Sequence, residues 1–343
     1  MTGITDSCHR PINYLRISVT DRCNLRCIYC MPAGGVELLP RDSLLTYEEI
    51  VTIASAAAEL GINKIRLTGG EPLLRARLPE LVAKLAGIKT IDDISITTNG
   101  ILLKELALEL KQAGLKRVNV SLDSLQKDKF ERITRYDRFN EVLEGIETAM
   151  TTGLNPVKIN VVAMRGINDD EIIDFAQKTI KDGWHVRFIE VMPFASDNPP
   201  ECHSKNANES LHKQFMPIHE IKEVLSILGS LEPYHTITGN GPAKYFRLPN
   251  ATGTIGFISP ISEHFCFSCN RIRLTADGKL RPCLLSDKEI DLREPLRDSD
   301  SEKKIRQAII EAMFVTVYAA VFNTLISEFK FKEVTSWVLY VIH

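Results

Sequence analysis

The 343-residue sequence predicts an α/β protein: a partial (β/α)6 barrel of the TIM type, followed by a smaller C-terminal region. Three observations lead there. Six short β-branched runs alternate with longer helical patterns, which is how parallel strands joined by helical crossovers read. Gly-Gly-Glu-Pro, Asn-Gly, Met-Pro and a group of cysteines fall at or just beyond the C-terminal ends of those runs, where a barrel builds its site. Past residue 195 the chain turns polar and loop-like. Spacing alone does not separate the barrel from an open doubly wound sheet; the convergence of unusual residues on one mouth favours the barrel.

Taken in order, the strand candidates are residues 14–19, 63–68, 93–98, 116–122, 157–163 and 185–191, and the helix patterns between them cover 47–60, 102–113, 139–153 and 169–182. The barrel is expected over 1–195 and a polar linker over 196–217, where Asp197-Asn198-Pro199-Pro200 stands. A C-terminal region follows over 218–312, with strand-like runs at 245–248 and 254–258. Residues 313–343 form an atypical apolar tail.

An apolar content of 44% and a net charge of −2 describe an ordinary globular chain with no global basic field for nucleic acid or an anionic membrane. Any anionic substrate must be gripped by a local set of Arg and Lys. No charged-then-apolar leader opens the sequence, so a cytoplasmic protein is expected. Six of the eight cysteines stand in two tight groups, which fits metal ligation in a reducing compartment better than disulfides. Cys8 and Cys202 are expected as free thiols.

The first group, Cys23-x3-Cys27-x2-Cys30, follows the strand candidate that contains Arg16. Three thiolates on one loop can hold three irons of a [4Fe-4S] cube and leave the fourth iron open for a ligand. A structural zinc site is the alternative, but zinc closes with four ligands. The second group, Cys266-x2-Cys269-x13-Cys283, again has three cysteines and no evident fourth, and zinc stays open there too. Gly69-Gly70-Glu71-Pro72 reads either as a tight turn or as a place where the main chain closes on a ligand.

Cys23-Asn24-Leu25-Arg26-Cys27-Ile28-Tyr29-Cys30 together with Gly69-Gly70-Glu71-Pro72 resembles the radical S-adenosylmethionine (SAM) superfamily. The flanks Val19-Thr20-Asp21-Arg22 and Met31-Pro32 narrow the likeness to the GTP 3′,8-cyclases of molybdenum cofactor biosynthesis. So do Thr97-Thr98-Asn99-Gly100, Val120-Ser121-Leu122-Asp123-Ser124 and Cys266-x2-Cys269-Asn270-Arg271-Ile272-Arg273-Leu274-Thr275. The resemblance covers residues 10–312. It implies two [4Fe-4S] clusters, one on Cys23, Cys27 and Cys30 that cleaves SAM, the other on Cys266, Cys269 and Cys283 that binds the substrate. It implies Tyr29, Gly70, Ser121 and Met192 on SAM, and Arg16, Arg66, Thr97, Lys158, Arg271 and Arg273 on GTP.

The residues themselves permit blander roles. Met192 would serve as a flexible core filler. A mid-strand Arg16 needs an anion, and a paired carboxylate would serve as well as a triphosphate. Asp21 and Asp123 are expected to orient backbone or ligands rather than act as acids.

The resemblance further implies a low-potential electron donor of flavodoxin or ferredoxin type, delivery of the product to cyclic pyranopterin monophosphate synthase, and compatibility with a homodimer. The family ends in a polar tail with Lys-Pro, a His and a terminal Gly-Gly, whereas here no glycine follows Gly278. The uncharged stretch 312–327 is shorter than the ~20 residues of a membrane span. A lineage-specific end, an altered reading frame and an extra helix are the three readings of this ending. It keeps two alternatives in view: the same machinery on another substrate, or a SAM- and GTP-binding homologue with impaired turnover.

Overall fold

The computed structural model describes residues 10–192, 213–235, 241–263, 265–283, 288–298 and 300–326, as backbone alone beyond Met313. Six strands arise where the alternation places them: β1 (Tyr14–Ser18), β2 (Lys64–Thr68), β3 (Asp93–Thr98), β4 (Arg117–Ser121), β5 (Lys158–Ala163) and β6 (His185–Glu190). They pair in parallel and in sequence order. A doubly wound sheet would reverse its order part-way. This one does not, so the barrel expectation holds.

The crossovers carry α1 (Tyr47–Glu59), α2 (Leu78–Ala86), α3 (Leu103–Gln112), α4 (Lys127–Thr134), α5 (Phe139–Thr151) and α6 (Ile172–Lys181). Thr46 opens α1 with a reciprocal cap, accepting from the Glu49 N–H while its own N–H donates to the Glu49 carboxylate. The sequence reading passed over α2 and α4. In α2 the signal is present, since Leu78, Leu81, Val82 and Leu85 repeat at helical spacing, but over nine residues only.

The C-terminal region adds α7 (Ile218–Leu225), β7 (Glu232–Pro233), β8 (Lys244–Arg247), β9 (Thr254–Ile258), β10 (Arg271–Leu274), β11 (Lys279–Arg281), β12 (Ile290–Asp291), α8 (Arg293–Arg297) and α9 (Ser301–Ile326). Its strands extend the barrel sheet at both edges. β9 joins β6 and β10 joins β1, both parallel, and antiparallel strands continue outward on each side. The resulting sheet has twelve strands, in the order β12-β11-β10-β1-β2-β3-β4-β5-β6-β9-β8-β7.

Along the central strands, side chains alternate with the strand period of two. Leu15, Ile17, Ile65, Leu67, Val118 and Val120 face the helices in the main core. Full burial of each contributes about 1.5–3 kcal/mol. The opposite face carries Tyr14, Arg16, Arg66, Thr97, Asn119 and Arg187. An apolar outside and a polar inside are what turn the sheet into a container.

Helix α9 contacts α1 and α8 and buries Ile305, Ala308, Ile309, Ala312 and Met313, so the tail continues as helix as far as Ile326. Among the described residues no helix is long and apolar enough to cross a membrane. Cys8, Cys202, most of the expected linker and residues 327–343 lie outside the described residues.

Candidate active site

The first cysteine group lies on the loop that leaves β1. That loop is laid on the end of α4, where the N–H groups of Arg26 and Ile28 donate to the carbonyls of Thr134 and Ile133 at 3.0 and 2.9 Å. A tight turn closes it, Cys30 N–H to Cys27 O at 2.9 Å. Cys27 and Cys30 are buried and Cys23 half-buried, in an apolar nest with Leu25, Ile133, Val162 and Val191. Burial pushes the Cys23 thiol up to about 11 and the Cys30 thiol up to about 12. Thiolates in such a nest call for a cationic partner, which a metal centre provides. Among the described residues, no three His, Cys, Asp or Glu side chains gather tightly enough to hold a single metal ion. A cube asks for a different arrangement, one thiolate on each of three irons. Three thiols on one loop, with the Leu25 N–H 3.4 Å from the Cys23 sulfur, suit that demand.

Buried carboxyls tie the other strand ends to this loop. Glu71 accepts from Thr98 Oγ1 and the Asn99 N–H at 2.7 Å each, and burial raises it to about 7 against those bonds. Asn99 reaches on to Asn24 at 2.7 Å. Asp123 accepts from the Tyr29 hydroxyl at 2.6 Å and the Val162 N–H at 2.8 Å, and burial lifts it to about 6. Asp21 accepts from the Leu39 N–H and the Arg22 guanidinium. Both aspartates are occupied in ordering loops.

The glycine pair permits close contact of main chain with main chain. A Cβ on Gly70 would stand 2.4 Å from the Arg22 carbonyl oxygen, and the Glu71 N–H donates to that same oxygen at 2.7 Å. Gly70, Ser121 and Met192 stand at or just past the C-terminal ends of β2, β4 and β6, and Tyr29, on the loop that leaves β1, reaches Asp123 just past β4.

Behind the mouth runs a cavity lined by Arg16, Arg66, Thr97, Met192, Arg271 and Arg273. All six had been singled out from the sequence. Lys158 does not line the cavity; it lies deeper on the same face, fully buried, with its ammonium 5.1 Å from the centre of the Tyr245 ring. Sequence reasoning missed Tyr14, Asn160 and Arg187, which also line the cavity. The period-two run His185-Val186-Arg187-Phe188 carried the signal for Arg187. Its Nη2 donates to Asn119 Oδ1 at 2.7 Å.

This interior is strongly cationic. Asp93, opposite Lys64, pairs with Arg117 and acts on Lys158 as a counter-charge. Burial, reinforced by Arg187, Arg117 and Arg66, brings Lys158 down to about 5. Burial and neighbouring arginines hold Arg16 well below its usual range and lower Arg273 to about 10. Nε and Nη1 of Arg273 are buried without a hydrogen-bond partner among the described residues, as is Nε of Arg187. Such a set fits a polyanion.

The second cysteine group enters from the other end. Because β10 runs parallel to β1, with Arg271 opposite Tyr14, Cys269 precedes the strand at its N-terminal end. The antiparallel return through β11, with Arg281 opposite Arg273, brings Cys283 back to the same level. Cys266 is raised by burial and by the adjacent Cys283 and Cys269. Burial works to raise Cys269 as well, but Arg271 and Arg273 outweigh it and lower the thiol. The strand-end motifs therefore share one mouth while the second cysteine group stands at the opposite end, and the cavity runs from Met192 at the C-terminal ends to Phe265 and Arg271 at the N-terminal ends. Strand direction at a sheet edge is a tertiary property that spacing does not encode.

Residues 17–179 match the Radical SAM superfamily, and residues 184–316 match Molybdenum Cofactor Synthesis C. The chain is 51% identical over 309 residues to the GTP 3′,8-cyclase of Pelotomaculum thermopropionicum, spanning 90% of this chain and 92% of that protein. Against the GTP 3′,8-cyclase of Listeria monocytogenes it is 46% identical over 312 residues, 91% of each. The chain belongs to the GTP 3′,8-cyclase family. As a radical SAM protein it takes a [4Fe-4S] cluster and SAM. Among solved structures, Streptococcus suis SuiB bound to S-adenosylmethionine is similar at a TM-score of 0.58 and 15% identity, over 87% of this chain and 68% of that one. SuiB bound to its precursor peptide SuiA gives 0.57 at 15% identity, over 87% and 67%. This second likeness is one of fold.

Proposed function

We propose that the chain converts GTP to (8S)-3′,8-cyclo-7,8-dihydroguanosine 5′-triphosphate, the first step of molybdenum cofactor biosynthesis. The observation that carries this reading is the cavity wall of buried arginines, with unpartnered nitrogens on Arg273, which reaches Met192 next to the Val191 that packs on the three-thiol loop, in a chain of this family. Cys23, Cys27 and Cys30 hold the SAM-binding cluster, with Tyr29, Gly70, Ser121 and Met192 around SAM. Cys266, Cys269 and Cys283 hold a second [4Fe-4S] cluster at the far end. When bound, the first cluster and SAM supply reductive cleavage of the sulfonium and the radical that takes the 3′ hydrogen.

The rest falls to the protein. Arg16, Arg66, Arg271 and Arg273 grip the triphosphate, Thr97 completes its site with Lys158 acting from behind the wall, and the closed apolar nest at the mouth keeps water from the reacting atoms. Residues 1–195 act as the radical-generating barrel and 218–312 as the region that brings the second cluster. The low-potential donor is of flavodoxin or ferredoxin type, cyclic pyranopterin monophosphate synthase takes the product, and a homodimer accommodates this arrangement. Six described cysteines that are all thiols suit a reducing compartment such as the cytoplasm.

The test is anaerobic reconstitution with iron and sulfide, followed by SAM, dithionite and each of the four ribonucleoside triphosphates. The reading requires 5′-deoxyadenosine formation that depends on GTP. Cleavage indifferent to the nucleotide would transfer the machinery to another substrate, and no cleavage would leave a binding protein.

A further inference from the structure

Arg135 ends α4 in a left-handed conformation, φ 66°, where glycine or asparagine is the usual residue because a larger side chain is strained. Packing does not offset that strain, since the residue is exposed. Its guanidinium is engaged elsewhere: Nη1 donates to the carbonyl oxygens of Arg26 at 2.5 Å and Met31 at 2.8 Å. These carbonyls stand immediately before Cys27 and immediately after Cys30. The other strained arginine, Arg77 at φ 61°, bonds Glu80 on its own helix.

We propose that Arg135 is a positioning residue for the first cysteine loop, clamping both ends of the segment 27–30 and setting a positive charge against its carbonyl side. The clamp fixes the spacing of two of the three thiols. The charge eases the extra negative charge that a cube takes on when reduced. Arg26 repeats the pattern from within the loop, donating from Nη1 to the carbonyls of Cys23 and Leu25 at 2.7 and 2.8 Å. Arg135 differs in that it anchors the loop to α4. It acts through that loop and touches neither SAM nor substrate.

The inference rests on the reading that Cys23, Cys27 and Cys30 hold a cube, and the test keeps the two apart. Full-length chain carrying Cys266→Ser, Cys269→Ser and Cys283→Ser, so that the first group alone reports, is reconstituted anaerobically. Arg135→Gly in that background removes the clamp and relieves the strained φ together. It is expected to melt, before iron is added, at or above the parent temperature. After loading it loses iron to bathophenanthroline roughly tenfold faster, the effect of removing a pair of charge-assisted bonds. Its midpoint potential shifts to more negative values. Arg135→Lys, which keeps the charge but not the fork, falls between. Parental iron retention and potential in Arg135→Gly would overturn the inference, as would losses that merely follow a lowered melting temperature. A parent that binds no iron would overturn the cube reading and the inference with it.

Discussion

Lys158 shows most directly what the interior asks for. Fully buried, and lowered to about 5 by burial and then by Arg187, Arg117 and Arg66, it lies far below the ~10.4 of an unfolded lysine. Between those values the unfolded chain holds a proton that the folded chain lacks, so stability without nucleotide rises with pH across that window. A polyanion held in the cavity by Arg66 and Arg187 offsets two of the charges that lower Lys158, and so favours its protonation. Nucleotide binding near pH 8 is therefore expected to take up protons, read by calorimetry in buffers of different ionisation enthalpy. Lys158→Met should abolish the uptake and flatten the rise of stability with pH. Binding with no proton exchange in the parent would show that Lys158 does not answer to the nucleotide. From sequence Lys158 was already a candidate; its depth, and the three cations around it, required the registers of β2 through β6.

At the scale of elements, the turn after β2 and the cysteine loop after β1 behave as one unit. Gly70→Ala would place a Cβ 2.4 Å from the Arg22 oxygen, and overpacking of main chain by main chain costs about 1–3 kcal/mol. Chemical denaturation should record that loss, and SAM cleavage should fall with it. Gly34→Ala, on the continuation of the same loop but with nothing within 4 Å of the added carbon, should change neither. Equal behaviour of the two variants would mean that the glycine pair is only a turn. The β/α alternation was legible because long apolar periods outweigh local ambiguity, and the cysteine spacing was legible because it is local. The short α2 and α4 were not, and neither was the hairpin β10–β11. Four- and three-residue strands at a sheet edge leave too little pattern, so the placement of Cys283 beside Cys269 becomes visible only in the pairing of Arg281 with Arg273.

Over the whole molecule, one polar face is closed off by strands from both ends of the chain. β10 brings Arg271 and Arg273 alongside Arg16, so residues more than 250 positions apart form one wall. Arg273→Ala removes buried donors from that wall. GTP affinity should drop roughly tenfold or more, since hydrogen bonds to charged groups are worth about 1.5–3 kcal/mol. Equilibrium dialysis measures the loss, and cluster content should stay at the parental level. Unchanged affinity would move the triphosphate elsewhere. The most direct measurement follows the reacting hydrogen itself. Reconstituted chain is supplied with SAM, dithionite and GTP carrying deuterium at C3′, and the 5′-deoxyadenosine is examined by mass spectrometry. The account predicts one deuterium in that product, formed only when GTP is present; unlabelled 5′-deoxyadenosine produced at the same rate without GTP would contradict it.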